Sequence, residues 1–264
     1  MSLGLILRGI EGWRENRRDP VRLEEIKGGA TIGASLEGRA ITAYRLGNGP
    51  KHVLLFAGIH GNEIGSIRCA VNVIREWKSF DAASTSLLVI PCLNPDGFTA
   101  ACREPDYLRG GRTGRLNARS VDLNRNFPVP SFQTQSVWNH GKSYGEQQTV
   151  FAGEAPGSEP ETRLLMQLVA EEKPTLVISL HTAGADVTGG ATPPSQVLAR
   201  KAADASGYRF FPEQEWLELK QTGTAKEWFD RKQVPYIELE LSRRWGADWQ
   251  RSKPALQALW AEEA

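Results

Sequence analysis

The chain of 264 residues is 40% hydrophobic and 24% charged, enough apolar sequence to bury a sizeable core in one large α/β domain or in two domains. A formal net charge of +1 supplies no basic field, which argues against nucleic acid or an anionic membrane as partner. Cys69, Cys92 and Cys102 are too few and too scattered for a disulfide framework, and no apolar run approaches the roughly 20 residues needed to span a bilayer.

Reduced thiols favour a reducing compartment. The N-terminus, MSLGLILRGIEGWRENRR, is apolar only briefly and lacks a cleavage-site pattern, so residues 1–30 read as an extension rather than a secretory signal. The expected location is cytoplasmic.

In chain order, TIGASLEGRAITAYRL (31–46) reads as two strands with a turn at Glu37-Gly38. HVLLFAGI (52–59) is a buried-strand run, followed by a helical pattern from Asn62 to about Lys78 and a strand over 86–93. Residues 94–157 are rich in Gly, Pro, Asn, Arg and Ser with little periodicity, and they read as a long active-site loop region. Order returns at Ser158-Glu-Pro-Glu161, a capping-box start with Pro in the first turn of a helix running to about Lys173. TLVISLHT (175–182) is a buried strand, helical patterns follow near 195–206 and 224–232, and PYIELELS (235–242) is a last strand before a closing helix near 252–262. Strands alternating with helices predict a single α/β domain over 1–264, a mixed and mostly parallel sheet with helices on both faces. In such folds ligands bind beyond the carboxyl ends of the strands.

The polar oddities fall at those ends. Of four histidines, His60 and His181 both close predicted buried strands, and Glu63 lies one turn beyond His60. Two imidazoles and one carboxylate make a His₂Glu set, which holds catalytic zinc while leaving a position open. An HxxE pair alone is common and is usually an exposed helix start. The second strand-end histidine and the surrounding motifs raise its weight. Near the C-terminus, Glu238 and Glu240 alternate onto one face of a buried strand, where a carboxylate is costly unless it is functional or paired.

His60-Gly-Asn-Glu63, Asn94-Pro-Asp-Gly97, Ser120-Val-Asp-Leu-Asn-Arg-Asn-Phe-Pro128 and Leu180-His-Thr182 together resemble the zinc metallocarboxypeptidase family in order and spacing over residues 35–245. Within it, RLNARSVDLNRNFP (115–128) and GEAPGSEPETRLL (153–165) are most similar to the bacterial murein peptide amidases, which cut a γ-D-glutamyl–diaminopimelate bond. The resemblance implies one zinc held by His60, Glu63 and His181, with Asp122 orienting a ligand histidine. It implies that Asn124 and Arg125 clamp the terminal carboxylate of a small peptide substrate. It places Arg115 on the oxyanion, among the neighbouring Arg103, Arg109, Arg112 and Arg119. It places Glu240 at the general-base position, with Glu238 in reserve.

One departure stands out. The digestive-type pattern has a capping tyrosine upstream of the base, and residues 217–228 contain none, which counts against broad exopeptidase activity. Lys226 falls near the family's specificity position, where it would favour a leaving group with an extra carboxylate; a surface lysine is the plainer alternative. The expected function is therefore murein peptide amidase activity in peptidoglycan recycling. Two alternatives are a zinc-dependent N-acyl amino acid deacylase of the aspartoacylase and succinylglutamate desuccinylase kind, and an inactive carboxypeptidase-like binding module.

Overall fold

The computed structural model describes residue 14 and residues 20–80, 82–103, 113–140 and 146–260. Most of the expected N-terminal extension, Arg109 and Arg112, and the last residues of the closing helix lie outside them. The strands are β1 (Ala30–Ala34), β2 (Ala40–Gly47), β3 (Lys51–Ala57), β4 (Thr85–Ile90), β5 (Gln135–His140), β6 (Glu146–Phe151), β7 (Leu176–Thr182), β8 (Asp186–Gly189), β9 (Arg209–Phe211) and β10 (Tyr236–Leu241). The helices are α1 (Ile64–Glu76), α2 (Pro95–Arg103), α3 (Pro160–Glu172), α4 (Pro193–Ser206), α5 (Glu213–Glu218), α6 (Ala225–Lys232) and α7 (Trp249–Trp260).

Eight strands form one sheet in the order β1-β2-β4-β3-β7-β10-β8-β9, and β5 and β6 form a separate hairpin. The centre is parallel, β4 with β3, β3 with β7 and β7 with β10, while β2 and β8 run antiparallel to their central neighbours. The all-apolar runs 53–57 and 176–178 suit strands covered on both faces. Alternate residues divide between two cores. Val53, Leu55, Leu176, Ile178, Ile237 and Leu239 pack with residues of α1, α4 and α7. Leu54, Phe56, Val177 and Tyr236 face the other way, against α3 and α6. Helices therefore cover both faces, as expected.

From β3 the chain passes to β4 on one side, and β7 later pairs with β3 on the other. Strand order thus reverses at the β3–β7 pair, opening a crevice at their carboxyl ends. His60 follows β3, and His181 is the next-to-last residue of β7.

Three expectations need correction. Residues 94–157 are not one loop: they hold α2, a 3-10 turn at Leu123–Arg125 and the β5–β6 hairpin. Pro95 stands at the first position of α2, where a missing N–H costs nothing. The capping box at Ser158 and Glu161 is not formed; Glu159 holds the N-cap position without a side-chain cap. Ser158 Oγ instead donates to Glu159, and Glu161 accepts from the Leu36 backbone. Finally, β8, β9 and α5 had no counterpart in the sequence reading.

Candidate metal centre

Two regions far apart in sequence deliver the centre. The turn after β3 brings His60 back over the strand end, because Gly61 lets the chain pass close to α2. A Cβ there would lie 2.1 Å from the Phe98 nitrogen. Glu63 sits at the N-cap of α1. β7 supplies His181. One ligand atom from each of His60, Glu63 and His181 lies within 4.8 Å of the others, and all three residues are buried.

Both rings turn the same nitrogen inward. His60 Nδ1 is 2.8 Å from Glu63 Oε1, and His181 Nδ1 is 3.1 Å from Glu63 Oε2. Both Nε2 atoms are held from behind, His60 by Asp122 Oδ1 at 3.2 Å and His181 by Ser179 Oγ at 2.9 Å. An acceptor at Nε2 favours the tautomer with its proton there, which leaves the Nδ1 lone pair free for a metal. Two such lone pairs and a carboxylate match the ligand chemistry of zinc. The donor set fits.

The charges are strongly coupled. Burial opposes ionisation of Glu63, yet the two histidines hold its carboxyl far below the ordinary range. Burial also opposes the Asp122 charge, and Arg115, His60 and Arg125 overcome it. For His181, burial favours the neutral ring, but Glu238 and Glu63 raise it to about 9.

Asp122 is the hub of the adjoining segment. Arg115 Nε donates to its Oδ2 at 3.0 Å, and Arg115 Nη1 lies 3.6 Å from Glu63 Oε1. The Arg115 guanidinium stacks on Trp138, 4.4 Å from the ring centroid. Asp122 Oδ1 caps the 3-10 turn by accepting the Asn124 N–H at 3.1 Å. Asn124 Oδ1 accepts the Ala225 N–H, joining this turn to α6. Arg125 is buried and spends Nε on Val137 O and Nη1 on Asn124 O. Burial brings its pKa down to about 10, so it stays cationic at neutral pH. Of the remaining loop arginines, Arg103 is exposed at the end of α2 and Arg119 pairs with Glu159.

The parallel pairing of β10 with β7 sets Glu240 beside His181 and Glu238 beside Ser179. Glu240 Oε2 accepts the Gly184 N–H at 3.2 Å. Burial pushes the Glu240 carboxyl well above its ordinary range, and the Glu63 charge adds to the push. Glu238 accepts from the Tyr236 hydroxyl and lies 3.8 Å from His181 Nε2. Lys226 is almost fully enclosed rather than at the surface. Its Nζ lies 2.7 Å from Glu213, 3.0 Å from Asp230, and over the Trp216 ring. Ser179 escaped the sequence reading, although strand alternation puts it on the His181 face two residues away. The stacking of Trp138 on Arg115 left no sequence signal.

The sequence pattern of the zinc carboxypeptidase family matches residues 26–196. Murein peptide amidase A of Escherichia coli K12 is 33% identical over 130 residues, 48% of this chain and 48% of that protein. The chain thus aligns with about half the length of this relative. The crystal structure of murein-tripeptide amidase MpaA from Escherichia coli O157 superposes with a TM-score of 0.68 at 25% identity, covering 90% of this chain and 94% of that one. Carboxypeptidase A from Helicoverpa armigera shares the fold, with a TM-score of 0.67 at 18% identity over 95% of this chain and 71% of that one. These likenesses favour neither the deacylase nor the inactive-module alternative.

Proposed function

The chain belongs to the zinc carboxypeptidase family, and from that premise we propose that it is a zinc-dependent hydrolase of the γ-D-glutamyl–diaminopimelate bond of murein peptides. The observation that carries the reading is the meeting of His60, Glu63 and His181 within 4.8 Å, with Glu240 in register beside His181. The likeness to murein peptide amidases supports the substrate class, as does the lack of a tyrosine across 217–228. In this reading the chain acts as one catalytic unit, cytoplasmic and engaged in peptidoglycan recycling.

His60, Glu63 and His181 would hold one zinc ion. Bound there, zinc would supply a Lewis acid that polarises the scissile carbonyl and acidifies a water. Glu240 takes a proton from the attacking water, and its raised carboxyl makes it a stronger acceptor than an ordinary glutamate. It then returns that proton to the leaving amine. Arg115, 3.6 Å from Glu63, stands within reach of the oxyanion that forms at the carbonyl. Asn124 and Arg125 clamp the terminal carboxylate of the leaving residue. Asp122 and Ser179 fix the two ligand rings.

Lys226 is the candidate for reading an extra carboxylate on the leaving residue, against the pull of Glu213 and Asp230. Lys226→Ala should erode the preference for acidic leaving groups, and an unchanged preference would remove it from the site. The substrate test is product analysis of a murein tripeptide digest run beside N-acetylaspartate. Free diaminopimelate with intact N-acetylaspartate is expected; the reverse would favour a deacylase.

A further inference from the structure

The segment from Arg115 to Arg125 carries Arg115, Asp122, Asn124 and Arg125, yet its only regular structure is one 3-10 turn. Asp122 and Arg115 touch His60 and Glu63 directly, and further bonds hold the rest of the segment in place beside them. Two buried asparagines bracket Asp122, Asn124 and Arg125. Asn117 Oδ1 accepts the N–H groups of Arg119 and Val121, each at 3.0 Å, closing the turn before Asp122. Asn126 Nδ2 donates to Ala152 O, Ala155 O and Ser158 Oγ, and the Asn126 carbonyl accepts from Gly157 N. Both asparagines then converge on one residue. Glu159 Oε2 accepts from Asn117 Nδ2 at 2.7 Å, while the Glu159 N–H donates to Asn126 Oδ1 at 3.1 Å.

Glu159 is fully buried, and its other carboxylate oxygen accepts from Ser158 Oγ and from half-exposed Arg119. A carboxylate in that position is costly unless its hydrogen bonds are complete. Glu161 lengthens the brace, with Oε1 on the Leu36 N–H and Oε2 3.4 Å from Asn117 Nδ2. The residues that would have formed a capping box are thus spent on long-range contacts.

We propose that Glu159 is a positioning residue: through Asn117 and Asn126 it sets the distance between the substrate-binding segment and the metal centre. The proposal rests on the roles given above to Arg115, Asn124 and Arg125. A buried polar knot with a merely structural role would lower stability when cut and leave substrate affinity unchanged. A positioning brace separates the two halves of the site. A displacement of about 1 Å in a catalytic group costs on the order of a hundredfold in rate.

The test compares zinc-loaded full-length wild type with Glu159→Ala and Glu159→Gln, well below their melting temperatures. Three quantities are read: hydrogen–deuterium exchange over residues 113–127, zinc affinity against a chelator, and KM and kcat on the murein tripeptide with free diaminopimelate as inhibitor. In Glu159→Ala the segment should exchange faster, and KM and the inhibition constant should each rise roughly tenfold or more. Zinc affinity should fall by a smaller factor than substrate affinity does, because the segment reaches the ligands only through the Asp122–His60 and Arg115–Glu63 contacts. Glu159→Gln keeps the shape and should recover most of the loss; if Glu159→Ala does not fold, Glu159→Gln should show the same split in smaller measure. Unchanged exchange over 113–127 overturns the proposal, as does a lowered melting temperature with KM and inhibition constant unmoved. Wild type inactive on the tripeptide would refute the substrate assignment alone, and the exchange measurement would still decide the brace.

Discussion

Two imidazoles and a carboxylate sharing a few ångströms cannot all keep ordinary proton affinities. His181, raised to about 9 from an ordinary 6.5, contributes stability to the metal-free protein that is complete below pH 6.5 and is lost as pH rises toward 9. Glu240, raised by burial, loses stability in the same direction. Glu63 and Asp122 are depressed, so their contribution is present at neutral pH and is lost as pH falls below the ordinary carboxylate range. The melting temperature of metal-free protein should therefore decline between pH 6.5 and 9. Zinc binds the neutral imidazole and should flatten that decline. A metal-free melting curve that rises toward pH 9 would contradict the charge state assigned to His181.

Glu240 is the second residue-scale test. Glu240→Gln removes the proton acceptor and keeps the shape, so kcat should fall by roughly 10²–10⁴-fold while zinc affinity holds. A variant with kcat within a few fold of wild type would move the base to Glu238. Lys226 has a different signature, because removing it leaves Glu213 and Asp230 without their buried cation. Lys226→Met should cost on the order of 3 kcal/mol in a denaturant titration. Pairing it with Asp230→Asn should restore part of that loss, and strict additivity of the two changes would deny the coupling.

At the scale of elements, strand register does most of the positioning. The parallel pairing of β10 with β7 opposes Glu240 to His181 residue for residue, so the proposed base comes to the His60–Glu63–His181 cluster without a loop. The approach of α6 to the substrate segment depends on Gly223, which has φ +71° and whose added Cβ would lie 2.0 Å from the Arg125 carbonyl oxygen. Gly223→Ala should cost about 1–3 kcal/mol and raise KM while leaving zinc affinity intact. An unaltered KM would show that Arg125 does not depend on that contact. The long strands and helices were legible because their periodicity is strong. β8 and β9, with four and three residues, are too short to carry a period. α2 was hidden behind Asn94-Pro95-Asp96-Gly97, which reads as a turn in isolation. Its cap is local, Asn94 Oδ1 accepting the Gly97 N–H, and only the Asn94 Nδ2 bonds to Ile59 O and Arg115 O are tertiary.

For the whole molecule, the crevice follows from strand order, and strand order is not written in any local window. His60 and His181 could be matched in the sequence because each closes an apolar run. Asp122, Asn124 and Arg125 could be found through their motif, but not the brace that holds them, since Glu159 and Asn117 lie 42 residues apart and their bond is purely tertiary. Among the described residues no helix is long and apolar enough to cross a membrane, and the two cores on either face of the sheet leave the metal centre at one rim.

The central claim is that one zinc ion, held by His60, Glu63 and His181, drives peptide hydrolysis at that rim. Titrating metal-free protein with zinc while following diaminopimelate release from murein tripeptide tests it most directly. Release should be absent without metal and rise linearly to a plateau at one zinc per chain. Full release from metal-free protein, or none from a folded chain carrying one zinc, would contradict it.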